Sequence, residues 1–383
     1  MMSAALRTGL ALGVVSAGRI FALMMVVPIL HFYQTDYATN AIGMGWAIGI
    51  YGLTQALLQV PIGFLSDRYG RRVVIMTALG IFAITSFIQG WVINIWALTL
   101  LRAIQGGAAI NGVMTAYAID LVDIKHRAMT LAIIGMMIGM AFFLAMILGP
   151  ILNEWFGLFN LFFGLAALML LLLLWVKYKL PVTTITPQPW QSKPFKQVQF
   201  WIVGLIGGLI HGVFTATFSV IPQILLKTHT KETMLYQIYL PSMLIAVLLA
   251  LMIIRRIGRD APTFWVAVSL ASMLVGLWLM KSSMLVCMIL FISGFSVLEA
   301  SLPLCLLTLD GAAAKGSLMG GYFSCVQFGV FVVNVMAGYG QAWFALSDIV
   351  LLMNMGLLAL GLVIWGLFFY FKKCHSNEIS IRG

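Results

Sequence analysis

The feature that most limits what this chain can fold into is a succession of apolar runs, each about 20 residues or longer, with little polar sequence between them. A helix of that length crosses a hydrocarbon layer while pairing every backbone N–H and C=O within itself. Twelve such runs are read, at roughly 8–32, 42–66, 72–93, 95–121, 127–152, 156–177, 198–226, 233–255, 262–280, 284–309, 316–340 and 347–371. Composition agrees: 62% of residues are hydrophobic and 9% charged, against roughly 45–50% and about 25% in soluble domains. The expected fold class is an all-α membrane protein of twelve transmembrane helices.

A net charge of +11 in a soluble protein would point to nucleic acid, but here its placement decides its meaning. If both termini are cytoplasmic, that side receives Arg7, Arg68, Arg71, Arg72, Lys125, Arg127, Lys177, Lys179, Lys193, Lys196, Arg255, Arg256, Arg259, Lys315, Lys372, Lys373 and Arg382. The other side receives Lys227, Lys231 and Lys281. Seventeen bases against three is the asymmetry of a multi-pass protein that keeps its basic loops inside. The charge therefore calls for a bilayer and for no nucleic acid. The first apolar run lacks a small-residue cleavage site and reads as a retained span.

Four cysteines, Cys287, Cys305, Cys325 and Cys374, show neither metal-ligand spacing nor a disulfide framework. No nucleophile–base–orienter set and no phosphate-binding loop stands out, so no catalytic residue, metal or cofactor is expected. The glycines Gly106, Gly107 and Gly112 read as helix-packing positions of span four.

One polar stretch, 179–197, carries Pro181, Pro187, Pro189 and Pro194 and separates six spans from six. The expected domains are 1–178, a six-helix bundle, and 198–383, a second bundle with a short cytoplasmic tail. The halves echo each other: Arg68-Tyr69-Gly70-Arg71 returns as Arg256-Ile257-Gly258-Arg259, and at the same offset Arg127 falls on Lys315. Two matches at one offset argue for a duplicated bundle.

Gly63-Phe64-Leu65-Ser66-Asp67-Arg68-Tyr69-Gly70-Arg71-Arg72 resembles, nearly position for position, the signature loop of the major facilitator superfamily. Leu98 through Arg102 to Gln105-Gly106-Gly107-Ala108-Ala109 resembles the superfamily's span-four motif with its arginine. The antiporters' fifth-span motif is half present: Gly149-Pro150 stands, and Ala145 occupies the place of the preceding glycine. The segments from Ile48 to Ala56 and from Leu298 to Pro303 look like the YajR-type branch of bacterial drug/proton antiporters, whose extra soluble C-terminal domain is not expected here. The resemblance implies the major facilitator fold, two six-helix bundles in a bacterial inner membrane.

Within the signature loop Asp67 and Arg71 stand four apart and can meet on one helical turn. The resemblance implies that Asp67 also faces the N-terminus of span eleven near Gly316 and that Asp120 accepts Arg71. Gly63, Asp67, Arg68, Gly70, Arg71, Arg72 and Asp120 would then hold the bundles together on the cytoplasmic side, with Gly63 allowing close helix approach and Gly70 a tight turn.

Of the eleven acids only Glu299 falls inside a span. A carboxylate there can take up and release a proton as its surroundings change, which makes Glu299 a proton-coupling candidate, unless a permanent partner locks it. It shares a helical stripe with Ser293, Ser296 and Pro303. On span seven His211 repeats with Thr215 and Ser219, as a second proton site, a ligand contact or a packed imidazole. Arg19 and Arg102 need acceptors inside the membrane, either an anionic ligand or span-end carbonyls; the resemblance links Arg102 to proton coupling. The cavity candidates are Arg19, Tyr51, Gln55, Gln59, Gln105, Thr215, Ser296, Gln327 and Asn334, with Met and Phe side chains as an adaptable wall.

The resulting expectation is a monomeric, proton-coupled exporter of small amphipathic compounds. A proton symporter importing a nutrient or metal chelate is the alternative on the same fold, and a transport-inactive membrane sensor the alternative of another class.

Overall fold

The computed structural model describes residues 4–182, 197–226, 235–256, 262–307, 315–344 and 352–366. Most of the linker, residues 257–259 of the internal echo, the acids Glu232, Asp260, Asp310, Asp348 and Glu378, and the C-terminal tail lie outside them. All regular structure among the described residues is helical: α1 Ala4–Leu30, α2 Ala41–Tyr69, α3 Arg71–Gln89, α4 Ile95–Gly107, α5 Asn111–Asp120, α6 Ile124–Lys179, α7 Val198–Leu226, α8 Leu235–Arg256, α9 Pro262–Trp278, α10 Met284–Leu307, α11 Lys315–Phe344 and α12 Leu352–Gly366.

Local chemistry sets several of these ends. The Asn40 side chain accepts hydrogen bonds from the Ile42 and Gly43 amides, and Asn94 accepts from Trp96 and Ala97, so α2 and α4 start on capped turns. Gly70 alone joins α2 to α3, with φ 97°, a conformation a side chain would strain.

Two spans differ from the sequence expectation. Span four, expected as one helix, is broken between α4 and α5 at residues 108–110. The carbonyl freed at the break has a partner, because Arg19 of α1 donates to Ala108 O at 3.2 Å and also to Asn111 Oδ1. Spans five and six, expected as separate helices, run on as α6, whose 56 residues would extend about 84 Å if straight, far beyond one bilayer crossing. Gly157, at φ 73°, turns it into two arms. There Tyr33 receives a hydrogen bond from the Leu158 amide at 3.0 Å and donates to Asn153 at 2.9 Å. With α4 and α5 counted as one and the arms of α6 as two, the described residues form twelve helical segments.

Two hydrophobic cores result. One is built from residues between Leu12 and Leu180, the other from residues between Phe200 and Trp365 together with Met146. The halves meet chiefly along α2 and α11. A Cβ added to Gly45, Gly49 or Gly52 would lie 2.7, 3.0 or 2.5 Å from the carbonyl oxygens of Asn334, Phe331 and Gln327, so only glycines permit this approach. Nearby, Phe142 of α6 reaches across to Phe214 and Phe218 of α7, at ring separations of 5.2 and 5.9 Å.

Farther along the same helices the contact ends. Among the described residues, Gly63 on α2 and Gly320 on α11 have nothing within 4 Å of an added Cβ, and Phe64, Leu65 and Tyr69 are exposed. The expected close approach at Gly63 is therefore absent: the halves are closed at one end and parted at the end bearing the signature loop.

Candidate transport site

Glu299 stands on α10, about two turns before the helix ends at Leu307. The α9-facing side of α10 is tightly packed: an added Cβ on Gly294 would lie 2.6 Å from the Ser269 carbonyl, and Ser272 donates to Leu290 O at 2.9 Å. On the side turned away from α9, Ile292 is buried, Ser296 half-buried and Glu299 exposed. Among the described residues no cation pairs with Glu299. On α11, Tyr322 is buried and its hydroxyl has no hydrogen-bond partner among the described residues.

One turn toward the closed end, Phe295 stacks on Phe214 at 3.8 Å and meets the His211 ring edge-on at 5.0 Å. His211 Nδ1 lies 2.9 Å from the carbonyl of Gly207, which occupies one ring nitrogen and leaves the other for a different partner. Thr215 accepts from Asn334 at 2.7 Å, tying α7 to α11. Ser296 donates to its own helix at Ile292 O, 2.9 Å away, and Gln327 is half-buried, with its carbonyl against Gly52.

The first half holds its charges differently. Arg102 is 2% exposed and donates to the Ala47 carbonyl at 2.6 Å, while Arg19 bridges the break in span four. Both guanidiniums are thus placed on backbone carbonyls rather than in the cleft. Gln105 donates to Ser86 at 2.9 Å beside Arg102. Tyr51, Gln55 and Gln59 on α2 are buried with side-chain polar atoms that lack partners among the described residues, an arrangement that costs stability unless something polar reaches them.

At the signature loop, Arg71 is the hub. It lies 2.5 Å from Asp67 and 3.1 Å from Asp120, and it donates to Ser66 at 2.5 Å. One guanidinium thereby joins the end of α2, the start of α3 and the end of α5. Arg72 donates to the Lys177 carbonyl, and Arg68 lies over the Tyr69 ring at 5.5 Å.

Sequence reasoning missed two groups. Gln89 of α3 is fully buried beside Arg102, and neither of its polar atoms has a partner among the described residues; as an amide inside an apolar span it carried the same signal as Gln55. The aromatic contact through Phe142 carried no signal, because phenylalanines recur throughout the spans.

The sequence pattern of the Major Facilitator Superfamily matches residues 12–334. The chain belongs to this superfamily. It is 31% identical over 351 residues to the inner membrane transport protein YajR of Escherichia coli strain K12, an alignment covering 87% of this chain and 77% of that protein. It is also 34% identical over 164 residues to the uncharacterized transporter BU466 of Buchnera aphidicola, covering 43% of this chain and 42% of that one. Among solved structures, the nucleoside transporter NupG superposes with a TM-score of 0.76 at 16% identity, covering 94% of this chain and 99% of that one. A bacterial homologue of the human lysosomal transporter Spinster gives 0.78 at 12% identity, with 94% and 95% covered. These likenesses show the fold. This member of the superfamily is a multi-pass membrane transporter of small molecules, not an enzyme.

Proposed function

We propose that this transporter is a proton-coupled exporter of small amphipathic compounds working by alternating access. The moving units are residues 1–178 and 198–383, and both termini are cytoplasmic, so the parted end faces the cytoplasm. Glu299 is the coupling carboxylate. The observation that carries the reading is the exposure of this acid, which no cation pairs with among the described residues, while Arg19 and Arg102 of the first half sit on backbone carbonyls. An acid in that position can bind a proton when the cleft faces one compartment and release it when the halves rock. His211, one turn away through Phe295, is placed to sense the same change. The aromatic lining around Phe214 and Phe295 suits amphipathic ligands.

The test is transport in inverted vesicles with a fluorescent amphipathic cation. An exporter exchanging substrate for protons accumulates the dye when the vesicle interior is acidified and loses that accumulation on adding a protonophore. Accumulation driven by a proton gradient of the opposite sign would establish symport instead, and accumulation indifferent to the gradient would remove proton coupling altogether.

A further inference from the structure

A concavity lies at the signature-loop end, within the first half. It occupies about 480 Å³ between the end of α2, the start of α3 and the end of α6, inside the roughly 300–1,000 Å³ range of ligand pockets. Its charged lining consists of Asp67, Arg68, Arg71, Arg72 and Lys177. Asp67 and Arg71 neutralise each other, and Arg71 also holds Asp120. Arg68, Arg72 and Lys177 pair with no carboxylate among the described residues. Arg72 donates to a backbone carbonyl, while Arg68 and Lys177 lie over the rings of Tyr69 and Tyr178, each at 5.5 Å. The chain that follows the pocket, residues 183–196, carries Lys193 and Lys196 and no acid, so it brings no counter-charge.

The rim is apolar. Tyr69, Val73 and Val182 line the cavity and are 58%, 55% and 78% exposed. Exposed aromatic and aliphatic side chains at the end of a membrane helix belong at the level where headgroups meet acyl chains. A charged floor with such a rim matches an amphiphile whose head is an anion, and Arg with Lys suits phosphate oxygens. A free phosphate would make no use of the rim, and a zwitterionic headgroup brings its own amine into a site already rich in cations.

We propose that this cavity binds the phosphate of an anionic phospholipid from the leaflet on that side. The site is independent of proton coupling at Glu299 and of the direction of transport.

The experiment takes the purified full chain into nanodiscs containing equal phosphatidylglycerol and phosphatidylcholine and counts retained lipids by native mass spectrometry. The wild type should retain phosphatidylglycerol by about tenfold over phosphatidylcholine, the scale set by one to two interfacial bases. The double variant Arg68→Gln/Lys177→Gln should bring that ratio close to one. Lys179→Gln, which removes a neighbouring base outside the cavity, should keep it, as should Arg68→Lys/Lys177→Arg, which guards against misfolding as the cause. Equal retention of the two lipids by the wild type, or an undiminished preference in the double variant, overturns the proposal. In a separate arm without lipid, millimolar inorganic phosphate is added in detergent. A rise in melting temperature in the wild type but not in the double variant would assign the cavity to soluble phosphate and overturn the lipid as its occupant.

Discussion

The two ends of the α2–α11 seam are made from the same pair of helices and behave oppositely. At one end Gly45, Gly49 and Gly52 bring the backbones into contact; at the other no described residue lies within 4 Å of a Cβ added to Gly63 or Gly320. Small residues are necessary for close packing in a membrane, where apolar helices gain nothing from leaving lipid that is equally apolar. They are not sufficient, because the approach also depends on how two rigid bundles are tilted. A separate contact between the halves sets Phe142 against Phe214 and Phe218. The parted end keeps its ion pairs inside one half, where Arg71 serves Asp67 and Asp120 together. Ion pairs kept within one bundle do not tie the other bundle to it.

The strongest test of this contrast removes the charge that the parted end exposes. Glu299→Gln should reduce gradient-driven dye uptake in proteoliposomes to background while leaving the melting temperature near that of the wild type. Retained wild-type uptake would take Glu299 out of the mechanism.

Next comes the closed end. Gly52→Leu must place a Cβ where the Gln327 carbonyl already stands, and overpacking of this kind costs about 1–3 kcal/mol. The closed end should open, lowering the population of the present state by roughly 5- to 150-fold relative to the alternative. Spin labels on Thr35 and Ser282, exposed residues of the two halves, should report a longer separation. An unchanged distance distribution would show that the glycine contact does not hold this end shut.

A smaller effect is expected at the hub. Asp67→Asn leaves Arg71 with Asp120 alone, and for a partly exposed pair the loss is about 1 kcal/mol. Turnover should fall roughly fivefold with ligand affinity unchanged, seen by setting equilibrium binding beside transport rate. Equal losses in both would place Asp67 in ligand binding instead.

The smallest change is Thr215→Val. It removes the side-chain acceptor of Asn334, which keeps its bond to Val330 O at 2.8 Å, so the cost should be about 0.6 kcal/mol. A shift in melting temperature of a few degrees checks this; a collapse of the fold would mean that the pair carries more than one bond.

Much of the fold was legible because membrane helices obey a local rule: each apolar run must satisfy its own backbone. The break in span four was not, since Gly106, Gly107 and Gly112 on either side of it read equally well as helix-packing positions. Only Arg19, 89 residues away in the chain, supplies the donor that lets the Ala108 carbonyl leave its helix. The candidate site divides along the same line. That Glu299 is the lone acid inside a span is a property of the linear chain; that it is exposed while Ile292 on the same side is buried depends on the helices around α10.

The sequence by itself determined the membrane class, the number of crossings and the superfamily, because span length, apolarity and motif spacing are properties of contiguous residues. The tertiary structure alone decided which end is closed, where Arg19 and Arg102 find their acceptors, and which side of α10 is open. Those outcomes turn on contacts between segments far apart in the chain, and a carbonyl partner, a cavity or a cleft exists only once distant helices have been brought together.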